Sequence, residues 1–130
     1  MKNIKSQVSM EFFILVGLAF FMVLFITVAS ANEIKEFSDQ EAFFLIRDLA
    51  LKLQKEVNIA SSVEDGYERN FNLPDKLENK LDYSIITKNH TITISSPRTV
   101  FSAGIPNATG DFVKGSNKIE RIEGGIYINR

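Results

Sequence analysis

An uninterrupted apolar segment near the N-terminus constrains this chain more than any other feature. From Phe12 to Ala29 the sequence reads FFILVGLAFFMVLFITVA, which contains no charged residue. Twenty residues of α-helix span roughly 30 Å, which is the thickness of the hydrocarbon core of a bilayer. The segment therefore predicts one helix that crosses a membrane.

The residues on either side of this segment predict its orientation. Lys2 and Lys5 precede it, whereas Glu33, Lys35 and Glu36 follow it with mixed charge. Because positively charged flanks stay on the cytoplasmic side, we expect a single-pass topology with the N-terminus inside. The C-terminal part is then expected outside the cytoplasm.

A cleaved secretory signal is an alternative reading of the same segment. Ala29, Ser30 and Ala31 form an Ala-x-Ala cleavage site directly behind it. The apolar part of a conventional signal is only about 7 to 15 residues long, and this one is longer. Cleavage after Ala31 stays open as an alternative.

Composition excludes several classes of function. The 130 residues leave room for one domain beside the apolar segment, the net charge is −1, and Lys and Arg are scattered. The absence of a basic cluster argues against a nucleic-acid partner. Because the chain has no cysteine, it cannot form a disulfide, a thiolate metal site or a thiol nucleophile.

A carboxylate lies directly against the apolar run. Glu11 follows Val8, Ser9 and Met10 and precedes Phe12. A carboxylate at the centre of a bilayer costs about 2.5 to 3.5 kcal/mol on insertion scales, and less near the interface. Position alone fits either a simple membrane boundary or a specific role for Glu11.

The residues around Glu11 resemble a known processing motif. Gln7-Val8-Ser9-Met10-Glu11-Phe12 follows a short basic leader and merges into the apolar helix. This arrangement resembles the start of archaeal type IV pilin-like proteins with class III signal peptides, whose motif is Gln-x-Ser-x-Glu-Tyr followed by apolar residues. Phe12 stands where Tyr is common, and Ser6 stands where Gly, Ala or a similar small residue is frequent.

The resemblance implies how the chain is processed and what it does. A membrane-embedded prepilin-type signal peptidase is expected to cut between Ser6 and Gln7, which removes residues 1–6 and makes Glu11 the fifth residue. The resemblance implies that Glu11 pairs with the N-terminal amine of a neighbouring subunit, and two such charges in apolar surroundings are costly unless paired. Assembly into a cell-surface filament, with copies of itself or other pilins, is expected through Glu11 and the bulky residues Phe12, Phe13, Phe20, Phe21 and Phe25.

The helix is predicted to continue beyond the membrane. No Gly or Pro occurs between Ala31 and Gly66. Apolar residues recur at helical spacing at Ala42, Ile46, Leu49, Leu53, Val57 and Ala60. We therefore expect an apolar assembly helix over 7–31 and an amphipathic continuation over 32–63, with a weak point near 31–38. In the apolar cluster that follows, Phe44 is expected to be buried inside the domain rather than against a neighbouring subunit.

Residues 64–130 are predicted to form a β-rich head. Pro74 places a strand near Tyr67–Leu73 at an edge. The runs Tyr83–Thr87 and Thr91–Ser95, joined by Lys88-Asn89-His90, predict a hairpin. Further candidate strands are 99–102, 111–113, 118–122 and 126–128. Together they predict an α+β fold in which the long helix packs on four to six antiparallel strands. The order of these elements also loosely resembles that of archaeal pilin-like proteins.

Sites for chemistry are sparse. Asn89-His90-Thr91 and Asn107-Ala108-Thr109 are N-glycosylation sequons in predicted loops. The single histidine, His90, has no second ligand nearby, and no phosphate loop or nucleophile motif occurs. We therefore predict no enzyme, metal or cofactor. The alternative function is a single-pass membrane protein with a β-rich binding domain outside the cytoplasm that never polymerises.

Overall fold

The structure is a computed structural model of the whole chain. It describes the backbone of residues 3–130 and the side chains of residues 8–31 and 33–130. The chain divides into two compact units, Met1–Ser38 and Asp39–Arg130. The first unit is entirely helical where it is described, and the second contains the end of the helix and all the described strands.

One long helix, α1, extends from Asn3 to Ser62, and these bounds include the predicted weak point. In the second unit α1 buries a stripe that repeats every three to four residues, as helix geometry requires when one face packs on a core. All six predicted stripe positions are buried, and Ala50 joins them. The helix is followed by a turn at Gly66, whose φ of 96° is readily adopted only by glycine.

Seven strands form two sheets in the described part of the second unit. They are β1 (Glu68–Leu73), β2 (Ser84–Lys88), β3 (Thr91–Ser95), β4 (Val100–Gly104), β5 (Ala108–Thr109), β6 (Gly115–Ile122) and β7 (Gly125–Ile128). One sheet has the order β1-β6-β7-β5, and the other has the order β2-β3-β4. All paired strands are antiparallel except β5 and β7, which are parallel.

Two-residue turns close both tight hairpins. Asn89 and His90 join β2 to β3 with φ of 49° and 62°, and Glu123 and Gly124 join β6 to β7 with φ of 49° and 77°. Positive φ at both central residues is the mark of a type I′ turn, whose twist matches that of the flanking strands. The turns therefore set the register of each hairpin.

A single hydrophobic core joins the helix to both sheets. Ile46, Leu53 and Val57 of α1 lie in one buried cluster with residues of the three-stranded sheet and of the four-stranded sheet. Fully buried members from the strands include Leu73, Ile92, Ile94, Ile119 and Ile128. The predicted α+β class, a long helix packed on antiparallel sheet, is therefore confirmed.

Some details of the strand prediction are wrong. Residues 111–113 form no strand, and the short strand of this region is β5, which pairs parallel with β7. Four to six strands in one antiparallel arrangement were expected, whereas the described part has seven in two sheets. The edge position of the first strand agrees with the structure, since β1 ends the order of its sheet.

Candidate functional site: the exposed apolar segment of the helix

The N-terminal part of α1 presents an apolar surface on every side. Between Val8 and Ala31 every residue is exposed except Gly17, which is half-buried. The large apolar side chains of this segment range from 46 % exposed at Leu24 to 76 % at Phe25. Monomeric soluble proteins rarely leave so much contiguous apolar area in water, so this surface requires a bilayer or a protein partner.

The same segment is long and apolar enough to cross a membrane, and it lies near the N-terminus. Thr27, one of its least apolar residues, donates its hydroxyl to the carbonyl oxygen of Val23 at 2.8 Å. A hydroxyl bonded one turn back along its own helix carries no unsatisfied donor into an apolar environment. Together with the core described above, the segment makes this an α+β protein whose described residues include one candidate membrane-spanning helix.

The predicted assembly phenylalanines are all exposed. They occupy much of the helix circumference, because successive side chains are about 100° apart and Phe12, Phe13, Phe20, Phe21 and Phe25 together span about 220°. The rings of Phe12 and Phe13 meet edge to face with centroids 6.4 Å apart. The remaining sector contains smaller or aliphatic side chains, namely Leu15, Leu18, Ala19, Met22, Ile26 and Ala29.

Glu11 lies on the same phenylalanine-free side of the helix. Leu15 and Leu18 follow it on that side, one and two turns further along. The Glu11 side chain is exposed, and among the residues whose side chains are described it has no hydrogen bond or ion pair. Ser9 is likewise exposed. The side chains of Ser6 and Gln7, the predicted processing site, lie outside the described residues.

The second unit also exposes an aromatic patch that the sequence prediction placed incorrectly. Phe44 was expected to be buried, but it is 52 % exposed. Its ring lies 6.0 Å from that of Phe43, which in turn lies 6.0 Å from that of Phe101 in β4, and the guanidinium of Arg47 lies 5.6 Å from the Phe44 ring centroid. Helical phase explains the exposure, because Phe44 is about 200° around α1 from the buried Ile46.

Several charged side chains of the second unit form ion pairs. Lys118 lies 3.2 Å from Glu68 and 2.6 Å from Glu120, and hydrogen bonds to these two carboxylates raise the pKa of Lys118. Lys114 binds Asp82 and holds the pKa of that carboxyl below its usual range. Each shift favours the charged form, as paired surface charges do.

In the part of the chain that the structure describes, two further features are the distribution of possible metal ligands and one depression on α1. Among the described residues, no group of three or more His, Asp or Glu side chains could hold a metal ion. A depression of about 340 Å³ on α1 is lined by Leu51, Gln54, Lys55, Asn58, Ile59, Ser62 and Val63, none of which is a carboxylate or a histidine. His90 lies in the exposed turn between β2 and β3.

Comparison with protein-family models, curated proteins and solved structures finds no match to this chain.

Proposed function

We propose that this chain is a pilin-like structural subunit. It is inserted in the membrane with its N-terminus inside, cleaved before Gln7 by a prepilin-type signal peptidase, and assembled through its apolar helix into a filament on the cell surface. The observation that carries the proposal is the combination of the Gln7, Ser9 and Glu11 motif with an apolar helix exposed on every side. Adhesion or another surface interaction is the corresponding role of the head.

The two unlike sides of the apolar helix support a filament rather than a closed dimer. One side presents phenylalanines and the other presents Leu15, Leu18, Met22 and Ile26. When the large-residue face of one copy packs on the smaller-residue face of the next, the growing assembly still has one free face of each kind. Such head-to-tail contacts extend without limit unless rotation closes them into a ring.

Glu11 supports the proposal on electrostatic grounds. Once helices replace lipid around it, its carboxylate lies in apolar surroundings, where an unpaired charge costs several kcal/mol. The α-amine created at Gln7 of a neighbouring copy is a suitable partner. Pairing would set the axial register between subunits, because only one offset brings the two charges together.

Mass spectrometry of the mature N-terminus tests the processing step. A mature chain that starts at Gln7 is expected. A start at Asn32 would instead indicate an ordinary secretory signal, and an intact Met1 would leave the single-pass membrane protein that does not polymerise. The measurement uses the wild-type chain.

Assembly is tested with Glu11→Ala against Glu33→Ala, which removes an exposed carboxylate just beyond the apolar run. Both variants should insert in the membrane and be cleaved at the same bond. Only Glu11→Ala should lose filaments in electron microscopy of sheared cell-surface material. Normal filaments from Glu11→Ala would contradict the proposed role of this carboxylate.

Because the chain has no cysteine, paired substitutions test which faces meet. Cells that produce a Leu18→Cys chain together with a Phe20→Cys chain should give mainly the mixed disulfide between the two variants. The proposal predicts far less of each homodimer. Predominant homodimers would indicate a symmetric contact between like faces and would contradict head-to-tail packing.

A further inference from the structure

The two sequons lie at the same end of the second unit, although their asparagines, Asn89 and Asn107, are eighteen positions apart in the chain. Asn89-His90-Thr91 forms the turn from β2 to β3, and Asn107-Ala108-Thr109 runs into β5. The two segments are joined through Ile105, whose backbone N–H donates to the carbonyl oxygen of His90 at 2.8 Å. Antiparallel pairing of β3 with β4 causes this approach, because it places Gly104 opposite Thr91.

This end of the unit lies away from the point at which α1 enters it. The strand β4 follows α1 toward the C-terminus of the helix, since Phe101 contacts Phe43 and the carbonyl oxygen of Gly104 accepts a hydrogen bond from Gln54 at 2.5 Å. Both sequons lie toward this end of the helix. Thr91 pairs with Gly104, and Ala108 pairs with Ile126, whose other partner, Arg121, contacts the last turn of α1. Asp39, the first residue of the unit, lies toward the opposite end of that stretch of helix.

Both acceptor side chains are available for reaction. Asn89 and Asn107 are exposed, and within the described residues neither side-chain amide has a hydrogen-bond partner. Asn89 occupies a tight turn in which its φ is 49°, so its side chain projects from the end of a hairpin. The hydroxyl of Thr91 makes only a long contact of 3.4 Å, to the carbonyl oxygen of Asn89.

We propose that Asn89 and Asn107 both carry N-linked oligosaccharides, so that this end of the domain is covered by sugar. The co-substrate would be an oligosaccharide linked to a lipid phosphate or pyrophosphate. The side-chain amide nitrogen bonds to the anomeric carbon, the bond from that carbon to the phosphate oxygen breaks, and the lipid phosphate leaves while a base takes the amide proton. The inference rests on the location outside the cytoplasm in the proposed function.

Intact-mass measurement of the full chain, produced in cells that perform N-linked glycosylation, tests the inference. The wild type should exceed the mass of its processed polypeptide, which starts at Gln7 in the proposed function, by two oligosaccharides. Asn89→Gln and Asn107→Gln should each remove one, and the double variant should carry none. Thr91→Ala and Thr109→Ala should reproduce the single losses, because the hydroxyl residue completes each sequon.

The matched control is Asn79→Gln, which replaces an exposed asparagine with φ of 56° that lies outside any sequon. This variant should keep both oligosaccharides. A wild-type chain at the mass of its processed polypeptide would overturn the inference, and so would a double variant that keeps its sugar.

A second measurement separates failure of this inference from failure of the proposed location. Lys80→Cys introduces a unique thiol at an exposed position, since the chain has no other cysteine. A membrane-impermeant maleimide should label this variant on intact cells. Labelling without sugar would overturn glycosylation alone, whereas absence of both would overturn the external location on which it rests.

Discussion

Arg121 in β6 donates a hydrogen bond from Nη1 to the carbonyl oxygen of Ala60 at 3.1 Å, and so ties a strand to the last turn of α1. The same nitrogen contacts the carbonyl oxygen of Ser61. Its Nε lies 3.4 Å from Oδ1 of Asp65, an oxygen that also accepts the backbone N–H of Gly124 at 2.9 Å. A cation at a helix C-terminus satisfies carbonyl groups that have no partner within the helix.

Arg121→Ala should lower the free energy of unfolding by about 1 to 3 kcal/mol, because hydrogen bonds to a charged donor are among the stronger ones. Arg121→Lys should recover part of this loss. Chemical denaturation of the full chain in detergent measures the effect. Lys88→Ala, which changes an exposed strand-end residue, serves as the control, and an equal loss in both variants would show that Arg121 contributes nothing specific.

Gly110→Ala should be strongly destabilising. Gly110 has a φ of 111°, and a Cβ atom there would lie 1.9 Å from the carbonyl oxygen of Ile128. Strained φ values alone cost about 1 to 3 kcal/mol for other residues, and the clash with backbone adds to this cost. In the same denaturation experiment Gly104→Ala should change the unfolding free energy by less than about 1 kcal/mol, since its Cβ would meet no atom within 4 Å.

Tyr83 should ionise late in an alkaline titration. Its ring is buried and its hydroxyl donates to the carbonyl oxygen of Pro74. Burial raises the pKa of Tyr83, and the nearby carboxylates of Asp75 and Asp82 raise it further. Ultraviolet absorbance of tyrosinate should therefore show a late step that Tyr83→Phe abolishes and Tyr67→Phe retains.

The same pKa shift predicts how stability depends on pH. Because the pKa of Tyr83 is raised in the folded state, its contribution is complete below the unfolded value of about 10. It is lost as the pH rises through the folded-state value. The unfolding midpoint of the wild type should therefore fall more steeply above pH 10 than that of Tyr83→Phe, and parallel curves would contradict the assignment.

Substitution of Ile46 should lower the free energy of unfolding much more than substitution of Phe44. Ile46 is fully buried, so Ile46→Ala should cost about 2 to 5 kcal/mol. Phe44→Ala should cost less than about 1 kcal/mol, because its ring is half-exposed and an exposed cation–π contact with Arg47 is worth only about 0.5 to 1 kcal/mol. Denaturation of the two variants checks the order, which a buried Phe44 would reverse.

Glu56 is a buried carboxylate, and its ion pair with Arg69 should offset much of the free energy that burial of the charge costs. It is 6 % exposed, and its Oε2 lies 3.0 Å from Nε of Arg69 in β1. Arg69→Ala leaves the charge without its partner and should cost about 1 to 3 kcal/mol, less than for a fully buried pair because Arg69 is half-exposed. Adding Glu56→Gln to Arg69→Ala should restore part of the loss, and a simple sum of the two single effects would argue against coupling.

Local patterns predicted the helix and the hairpin. The apolar run from Phe12 to Ala29 and the stripe from Ala42 to Ala60 depend on a helical period that is written within the segment itself. The hairpin depends in the same way on nearby residues, since the Asn89-His90 turn lies directly between two β-branched runs. These interactions join residues close in sequence, so their effect can be read without knowledge of the fold.

Other features depend on partners that are distant in sequence. The two residues of β5 form a strand because Ile126 and Tyr127 of β7 lie beside them, whereas residues 111–113 have no such partner in the described sheets. Similarly, the charge of Glu56 has a partner because β1 brings Arg69 to it. No pattern around Ala108 signals its strand, and none around Glu56 signals Arg69 as its partner. Helical phase, by contrast, places Glu56 on the buried face of α1 with Leu53 and places Phe44 on the outer side.

The apolar segment, the charge at Glu11 and the α+β composition follow from the sequence by itself, because hydrophobicity and period act within one element. The tertiary structure alone decided that the strands divide into two sheets, that Arg121 reaches the end of α1, and that two separate sequons lie at the same end of the domain. Each of these depends on strand pairing across long stretches of chain, and the order of pairing is selected by packing of the whole core rather than by any single segment.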